Sequence, residues 1–177
     1  MPSSRYDFIP TVLDIVMKMQ PKSILDCGIG YGKWGVLFRE YLDIWKTDKP
    51  YSERVLKLYG VEAFKEYRNP IWDLYDEVWE ENVFLIWDQL PEVDLLFLGD
   101  VIEHFSKKDG LDLLAKLKYK HAIILTPLDV SNQESVYGNE FENHISSWNR
   151  NDFNGNAQGL IKNNQQLIFI DRTNGNS

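Results

Sequence analysis

The clearest fold signal in this chain is the stretch Ile24-Leu25-Asp26-Cys27-Gly28-Ile29-Gly30-Tyr31-Gly32-Lys33-Trp34-Gly35. Two branched apolar residues lead into an acid, four glycines follow within the twelve residues, and a helix-like apolar pattern begins at Trp34. This order predicts a β-strand, a tight turn and an α-helix. Glycine is favoured where a backbone takes a positive φ or approaches a ligand closely, and a helix that starts there directs unpaired N–H groups into the resulting hollow. We therefore expect a ligand site at this turn.

The composition is that of an ordinary globular protein, with 44% hydrophobic and 26% charged residues. The length of 177 residues predicts a single domain over 1–177, with its core at 23–171 and a loose tail at 172–177. No apolar run approaches the ~20 residues that a membrane span requires. Because the first residues also lack the pattern of a secretory signal, we expect a cytoplasmic protein with no membrane partner.

The charge balance is acidic, with 19 Lys and Arg against 27 Asp and Glu and a net charge of −8. Neither sign is gathered into a long block. Because clustered Lys and Arg are the usual mark of a nucleic-acid surface, this pattern disfavours nucleic acid as a partner. The one cysteine, Cys27, can form no internal disulfide, and its place at the end of a strand favours a buried structural role.

Strands and helices are predicted to alternate along the chain. Apolar periodicity predicts helices over residues 7–19, 33–41 and 107–118, and strands over 23–26, 55–61, 76–79, 94–98 and 121–125. Two alternating runs at 158–161 and 167–170 predict a terminal hairpin. The expected fold is α/β, with a doubly wound, mostly parallel sheet, helices on both faces and a C-terminal antiparallel hairpin. Ligands bind such sheets at the carboxyl ends of their strands.

Polar residues follow these strands where a ligand would bind. Asp26, Glu62, Asn82, Asp100 and Thr126 come at or directly after strands one to five. A dinucleotide site is one interpretation, because Gly30-x-Gly32-x-x-Gly35 satisfies that fingerprint and Glu62 could bind a ribose. Against it, Asp26 precedes a denser glycine run, the length leaves no room for a separate substrate domain, and the chain closes with a hairpin.

The chain resembles the class I S-adenosylmethionine (SAM)-dependent methyltransferases from about residue 23 to residue 171. Leu25-Asp26-Cys27-Gly28-Ile29-Gly30-Tyr31-Gly32 is similar to motif I of that family, and Glu62 ends strand two as the family's acid does. Gly99-Asp100-Val101-Ile102-Glu103-His104-Phe105 is similar to the Asp-Val-x-Glu-His motif of its small-molecule members. The resemblance implies a Rossmann-like methyltransferase fold, SAM as cofactor and S-adenosylhomocysteine (SAH) as product.

The resemblance also implies roles for single residues. The backbone at Gly28, Gly30 and Gly32 would pack against the amino-acid and ribose parts of SAM, with Tyr31 in the same motif. Asp26 would anchor the turn or bind the SAM ammonium group. The cofactor set is completed by residues at the other strand ends: Glu62 for the two ribose hydroxyls, Ala63 beside the adenine, Asn82 for the adenine amino group, and Asp100. The alternative for Glu62 and Asn82 is a strand-end or helix-capping role.

Histidines at the mouth of the site are the candidate catalytic residues, because a hydroxyl acceptor gains from a nearby base. His104 and His144 fall on the carboxyl-end side, whereas His121 opens a strand and is expected to be structural. Alternatively, Glu103 and His104 form a helix-start pair. The leading hypothesis assigns no metal ligands.

A divalent metal held by Asp100, Glu103, His104 and His144 is a further alternative. It is similar to the arrangement in small-RNA 3′-terminal methyltransferases and in ubiquinone-pathway O-methyltransferases. Two departures weigh against it: Asp100 replaces a longer Glu, and the later loop has one clear histidine.

The loop Gly138-Asn139-Glu140-Phe141-Glu142-Asn143-His144, with Trp148, is predicted to be a substrate lid. Its alternative is a surface loop whose Trp148 and Phe153 belong to the core. The leading function is methyl transfer from SAM to a hydroxyl or amine of a small-molecule acceptor, by a monomer or homodimer. The alternatives are a metal-assisted RNA 2′-O-methyltransferase, a non-catalytic SAM-fold binding or regulatory module and, last, an NAD-binding module.

Overall fold

The strands form one mixed sheet in a computed structural model that describes residues 4–45, 50–129, 138–153 and 157–173. Within these ranges seven strands pair in the order β3-β2-β1-β4-β5-β7-β6. They are β1 (Ser23–Cys27), β2 (Lys57–Val61), β3 (Glu77–Trp79), β4 (Val93–Gly99), β5 (Tyr119–Pro127), β6 (Ala157–Lys162) and β7 (Gln165–Asp171).

The first five strands are parallel and the last pair is antiparallel. β1 pairs with both β2 and β4, β3 pairs with β2, and β5 pairs with β4, all in parallel. β7 runs antiparallel between β5 and β6. The predicted α/β class, with its mostly parallel sheet and C-terminal hairpin, is confirmed.

Helices cover both faces of the sheet. They are α1 (Ile9–Met19), α2 (Lys33–Phe38), which continues as a π-helix (Arg39–Ile44), α3 (Val83–Ile86) and α4 (Lys107–Lys116). Pro10 lies in the first turn of α1, where its missing N–H is tolerated. The hydroxyl of Ser106 accepts from the backbone N–H of Asp109 and caps α4. Short 3₁₀ turns complete the backbone at Tyr51–Glu53, Lys65–Tyr67, Pro70–Leu74, Ile102–His104, Glu140–Glu142 and Arg150–Asp152.

Two apolar clusters lie on opposite faces of the sheet. Along β4, Leu95 and Phe97 belong to one cluster and Leu96 and Leu98 to the other, because successive side chains of a strand point to opposite faces. Helices α1 and α2 pack on the first cluster, and α3 and α4 on the second. A strand buried on both faces is almost wholly apolar, so the polar residues of β4 are confined to its ends.

Several predicted boundaries differ from those observed. The strand expected at 121–125 extends over Tyr119–Pro127, because Tyr119 pairs with Val93 of β4 and Pro127 pairs with Gln165 of β7. The helix expected at 107–118 ends at Lys116, since Leu117 is already extended. Part of the predicted irregular loop, residues 130–137, and part of the predicted tail, residues 174–177, lie outside the described residues. The single-domain assignment stays a prediction. In the described ranges, no helix combines the length and apolar character needed to cross a membrane.

Candidate functional site

A cavity of about 250 Å³ lies at the carboxyl ends of the parallel strands. Each of the strands β1 to β4 contributes residues at or directly after its end, and the segment at 139–142 closes one side. The main contributors are Gly28, Ile29 and Gly30 after β1, Glu62 and Ala63 after β2, Asn82 after β3, Asp100 and Val101 after β4, and Asn139, Phe141 and Glu142. The structure thus brings six of the predicted cofactor residues and His104 together around one space, in the position predicted for the ligand: Gly28, Gly30, Glu62, Ala63, Asn82 and Asp100.

The turn after β1 requires glycine at Gly28. Its φ is +78°, and a Cβ added there would lie 2.4 Å from Cγ2 of Val101. Backbone with positive φ is strained for other residues. The close approach of β1 and the residue after β4 therefore depends on the missing side chain.

Glu62 connects the end of β2 to this turn. Its Oε2 accepts from the N–H of Gly30 at 2.8 Å, and its Oε1 accepts from the N–H of Phe64 at 3.0 Å. Burial raises the pKa of Glu62, and the two backbone hydrogen bonds oppose that shift. A carboxylate has about four acceptor positions, so the oxygens that line the cavity can still accept from a ligand diol.

Asn82 combines a structural contact with a place in the cavity wall. Its Oδ1 accepts from the N–H of Phe84 at 3.0 Å and caps α3. The helix-capping alternative for Asn82 is therefore present in the structure. Since an amide oxygen has two lone pairs, the cap leaves one for a ligand.

Three predicted cofactor residues lie outside the cavity wall. Asp26 is 1% exposed, and its Oδ2 accepts from the hydroxyl of Tyr75 at 2.6 Å. Burial raises the pKa of Asp26 to about 7. Tyr31 is 46% exposed with its ring centroid 5.2 Å from that of Tyr67, and Gly32 is the N-cap residue of α2 with φ +88°. The contacts of Asp26 are those of a residue that anchors the turn, and a direct role of these three in cofactor binding stays a prediction.

Asp100 has an unusual backbone and an incompletely paired carboxylate. Its φ is +58°, although it is not glycine. Its Oδ1 accepts from Nε2 of Gln165 at 2.7 Å, whereas its Oδ2 is buried without a hydrogen-bond partner among the described residues. Burial raises the pKa of Asp100, and Gln165, Ser4 and Lys33 oppose that shift. Backbone strain and an unpaired carboxylate oxygen commonly mark a functional position.

His104 lines the cavity with a defined tautomer. Its Nδ1 lies 3.1 Å from the carbonyl oxygen of Asn143. Because a carbonyl only accepts, Nδ1 carries the proton and Nε2 of the neutral ring is free to accept one. Burial lowers the pKa of His104, which favours this neutral form.

His144 lies beside His104 and not in the cavity wall. The two rings have centroids 5.0 Å apart, and Nδ1 of His144 is buried without a partner among the described residues. The N–H groups of Ile145 and Ser146 donate to the carbonyl oxygen of Glu103 at 2.9 and 3.1 Å, which fixes His144 against this turn. Burial lowers the pKa of His144, and His104 adds to the shift.

Glu103 joins the two histidines in a cluster whose ligand atoms lie within 4.8 Å of one another. Its Oε2 accepts from the hydroxyl of Thr126 at 3.1 Å, and its Oε1 is buried without a partner among the described residues. Asp100 raises the pKa of Glu103 in addition to the larger effect of burial. Of the four residues named as possible metal ligands, the structure therefore brings three together, and Asp100 lies outside their cluster.

The predicted lid divides into two parts. Tyr67 donates its hydroxyl proton to Oε1 of Glu142 at 3.1 Å and accepts from Nδ2 of Asn139 at 3.1 Å. These bonds hold the segment at 139–142 against the cavity, and its role as a substrate lid stays a prediction. Trp148 and Phe153, in contrast, are 2% and 7% exposed with stacked rings, so they belong to the core.

Ser4, Lys33 and Tyr67 all line the cavity and were not predicted from the sequence. Lys33 directly follows the glycine run, and this position in α2 is a signal that could have identified it. Ser4 and Tyr67 carry no such pattern, because only tertiary contacts bring them to the site.

The cavity is acidic. Among its described lining residues, the carboxylates are Glu62, Glu81, Asp100 and Glu142, and the only Lys or Arg is Lys33. This excess of negative charge suits a cationic ligand with few phosphates.

Solved structures show the same fold at low sequence identity. One is an O-methyltransferase family protein from Burkholderia thailandensis, 12% identical, with a TM-score of 0.63 over 94% of this chain and 57% of that chain. Another is an rRNA methylase from Escherichia coli, 12% identical, with a TM-score of 0.59 over 93% of this chain and 63% of that chain. A third is the N-terminal domain of EvdMO1 in the presence of SAH and D-fucose, 11% identical, with a TM-score of 0.64 over 96% of this chain and 84% of that chain.

These similarities establish the fold. The chain has the Rossmann-like fold of class I SAM-dependent methyltransferases, as the sequence resemblance implies. It spans about three fifths of the length of the first two structures. No protein-family model and no curated protein matches the sequence.

Proposed function

We propose that this protein is a SAM-dependent methyltransferase that acts on a hydroxyl or amine of a small-molecule acceptor. The observation that carries the proposal is the Glu62 carboxylate, which is fixed by the N–H groups of Gly30 and Phe64 and faces a cavity at the carboxyl ends of the strands. A carboxylate held in this way can accept from both hydroxyls of a ribose. The fold of the solved methyltransferases supports the same cofactor.

The residues around the cavity fit SAM. Gly28 and Gly30 expose backbone where a ligand can approach closely. Ala63 and Asn82 line the cavity after the neighbouring strands β2 and β3, as Glu62 does after β2, and would contact the adenine. When bound, SAM supplies an electrophilic methyl group on a sulfonium, so covalent catalysis by the protein is not required. The carboxylates around the cavity favour that positive charge.

His104 would accept a proton from the acceptor. Its Nε2 is unprotonated in the neutral ring, because Nδ1–H donates to Asn143, and it belongs to the cavity wall. Phe141 and Glu142 of the lid would orient the acceptor and exclude water. Positioning of a nucleophile behind the methyl group is then the main task of the protein.

Detection of SAH tests this function. The protein is incubated with SAM and with separate pools of small hydroxyl and amine compounds, and SAH is quantified by mass spectrometry. We expect SAH above the blank in at least one pool, and less SAH with His104→Ala. Binding of SAM without turnover in any pool would favour the non-catalytic module, and binding of NAD in place of SAM would favour the NAD-binding module.

Metal-assisted methylation of an RNA 2′-hydroxyl is the second candidate, favoured by the cluster of Glu103, His104 and His144. The donor set fits a divalent cation, because Oε1 of Glu103 and Nδ1 of His144 are buried without partners among the described residues. A cation held there would lower the pKa of a coordinated hydroxyl. The acidic cavity and the net charge of −8 weigh against RNA.

RNA oligonucleotides separate the two candidates. Transfer from SAM is measured with and without Mn²⁺ or Mg²⁺, using RNA and the same RNA with a 2′-deoxy terminal nucleotide as control. Metal-dependent transfer that the 2′-deoxy terminus abolishes would support the second candidate. No transfer under either condition would eliminate it.

A further inference from the structure

Lys33 is the one Lys or Arg residue in the described wall of the cavity. It is the first residue of α2 and is partly buried. Its Nζ donates to the backbone carbonyl of Ser4. An ammonium group has three donors, so this contact leaves donors for a ligand.

Ser4 fixes the position of the Lys33 ammonium group. The hydroxyl of Ser4 donates to the carbonyl of Gly99 at 3.0 Å and accepts from Nε1 of Trp34 at 3.0 Å. The chain before α1 is thereby held against the end of β4. The carbonyl that accepts from Lys33 is consequently fixed beside Asp100, the residue after Gly99.

Lys33 and Asp100 form a pair of opposite charges at this end of the cavity. Burial lowers the pKa of Lys33, and the negative charge of Asp100 opposes that shift. Oδ2 of Asp100 is buried and unpaired among the described residues, while Gln165 holds Oδ1. A ligand that carries both an ammonium and a carboxylate group would satisfy both residues.

We infer that Lys33 binds the carboxylate of the methionine part of SAM and that Asp100 binds its ammonium group. The inference rests on the proposed function and adds a specific subsite to it. It places the ammonium contact at Asp100 and not at Asp26, whose Oδ2 is already paired with the Tyr75 hydroxyl outside the cavity wall. The adenosine part of SAM would then bind at the opposite side of the cavity, around Glu62 and Asn82.

Charge complementarity supports this orientation. The other carboxylates of the cavity wall, Glu62, Glu81 and Glu142, would repel the methionine carboxylate. Lys33 is therefore the one lining residue in the described part of the chain that can form a charge-assisted hydrogen bond with it, apart from protonated His104. Burial lowers the pKa of His104 and so favours its neutral form.

A comparison of two ligands tests the role of Lys33. SAM and decarboxylated SAM differ only in the carboxylate, and the affinities of both are measured by isothermal titration calorimetry with the wild type, Lys33→Met and Lys33→Arg. Lys18→Met is the matched control, because Lys18 is an exposed lysine at the far end of α1. Met retains the apolar stem of the side chain.

We expect Lys33→Met to weaken SAM binding about 10- to 100-fold, the range for one lost charge-assisted hydrogen bond. Binding of decarboxylated SAM should be the same as in the wild type, and Lys33→Arg should retain most of the affinity for SAM. Lys18→Met should change neither value.

Two results would overturn the assignment. One is an equal loss of affinity for both ligands in Lys33→Met, which would indicate that Lys33 only supports the local structure. The other is no loss for either. If the wild type bound neither ligand, the proposed function itself would be contradicted, and this outcome differs from the first two.

Asp100→Asn tests the ammonium contact in the same way. Its expected effect is weaker binding of SAM with unchanged binding of 5′-methylthioadenosine, which lacks the whole amino-acid group. An equal loss for both compounds, or none for either, would contradict the assignment of Asp100.

Discussion

Oε2 of Glu62 accepts a hydrogen bond from the backbone N–H of Gly30 at 2.8 Å. The contact joins the end of β2 to the turn after β1, so one carboxylate both fixes the turn and faces the cavity. Its second oxygen is fixed by Phe64. The position of the proposed ribose contact is therefore determined by backbone groups and not by a mobile side chain.

Replacement of Glu62 should affect binding in a graded way. Glu62→Gln retains one acceptor oxygen and should weaken SAH binding about tenfold, whereas Glu62→Ala should weaken it about 100-fold or more, because a buried charged acceptor is lost. Calorimetric titration of SAH measures both values. Equal affinities in the wild type and Glu62→Ala would show that Glu62 does not contact the cofactor.

Gly28→Ala should destabilise the fold more than Gly138→Ala does. Both glycines have a positive φ, +78° and +74°, but a Cβ would lie 2.4 Å from Val101 at Gly28, whereas at Gly138 it meets no atom of the described residues within 4 Å. Gly138→Ala should cost about 1–2 kcal/mol from backbone strain alone. Gly28→Ala should cost about 1–3 kcal/mol more from overpacking.

Urea unfolding of the two variants measures that difference. Val101→Ala, combined with Gly28→Ala, should recover part of the loss, because it removes the clashing methyl group. Equal destabilisation at the two glycines would contradict the close approach of the turn to Val101.

Asp26 should make the fold less stable as the pH rises. The pKa of its carboxyl is raised from 3.8 to about 7 by burial, so between these values the folded state retains a proton that the unfolded state has lost. The Asp26 contribution to stability is then greatest below the pKa of Asp26 in the unfolded state. It declines as the pH rises and is lost once the pH passes the pKa of Asp26 in the folded state. The Asp26 contribution should fall by about 2–3 kcal/mol between pH 5 and pH 8.

Asp26→Asn is the matched variant, since its amide oxygen can still accept from Tyr75 and does not titrate in this range. The free energy of unfolding is measured at pH 5, 6, 7 and 8 for both proteins. Between pH 5 and pH 8 the free energy of unfolding should decline by about 2–3 kcal/mol less in Asp26→Asn than in the wild type. Parallel curves would indicate that Asp26 titrates normally.

His104→Ala and His144→Ala should separate base catalysis from metal binding. If His104 acts alone as a base, His104→Ala should lower the turnover rate about 10²- to 10⁴-fold, and His144→Ala should have a smaller effect. If the cluster holds a cation, both variants should lose Mn²⁺ binding, measured by electron paramagnetic resonance. SAH affinity should be unchanged in His144→Ala, because His144 lies outside the cavity wall.

The fold could be predicted because its evidence is local. The run from Ile24 to Gly35 predicts a strand, turn and helix by itself, and the apolar run at β4 is typical of a strand buried on both faces. Strand ends meet at one edge of a parallel sheet, so Glu62, Asn82 and Asp100 could be assigned to one site without any contact being known.

The rest of the site depends on contacts between distant segments. Ser4 reaches Gly99 through the path of the chain before α1, and Tyr67 reaches Asn139 across the cavity. The position of Asp26 in the motif does not show that the hydroxyl of Tyr75 would donate a hydrogen bond to its carboxylate. The sequence does not distinguish a surface position of Trp148 from a core position, because the difference depends on packing. In the structure the ring of Trp148 packs against Gly110, which has no side chain to displace it.

Titration of SAH into the wild-type protein is the most direct test for a SAM site beside Glu62. We expect binding at one site per chain, with no comparable binding of NAD and with a large loss of affinity in Glu62→Ala. Absence of SAH and SAM binding by a protein that circular dichroism shows to be folded would contradict it.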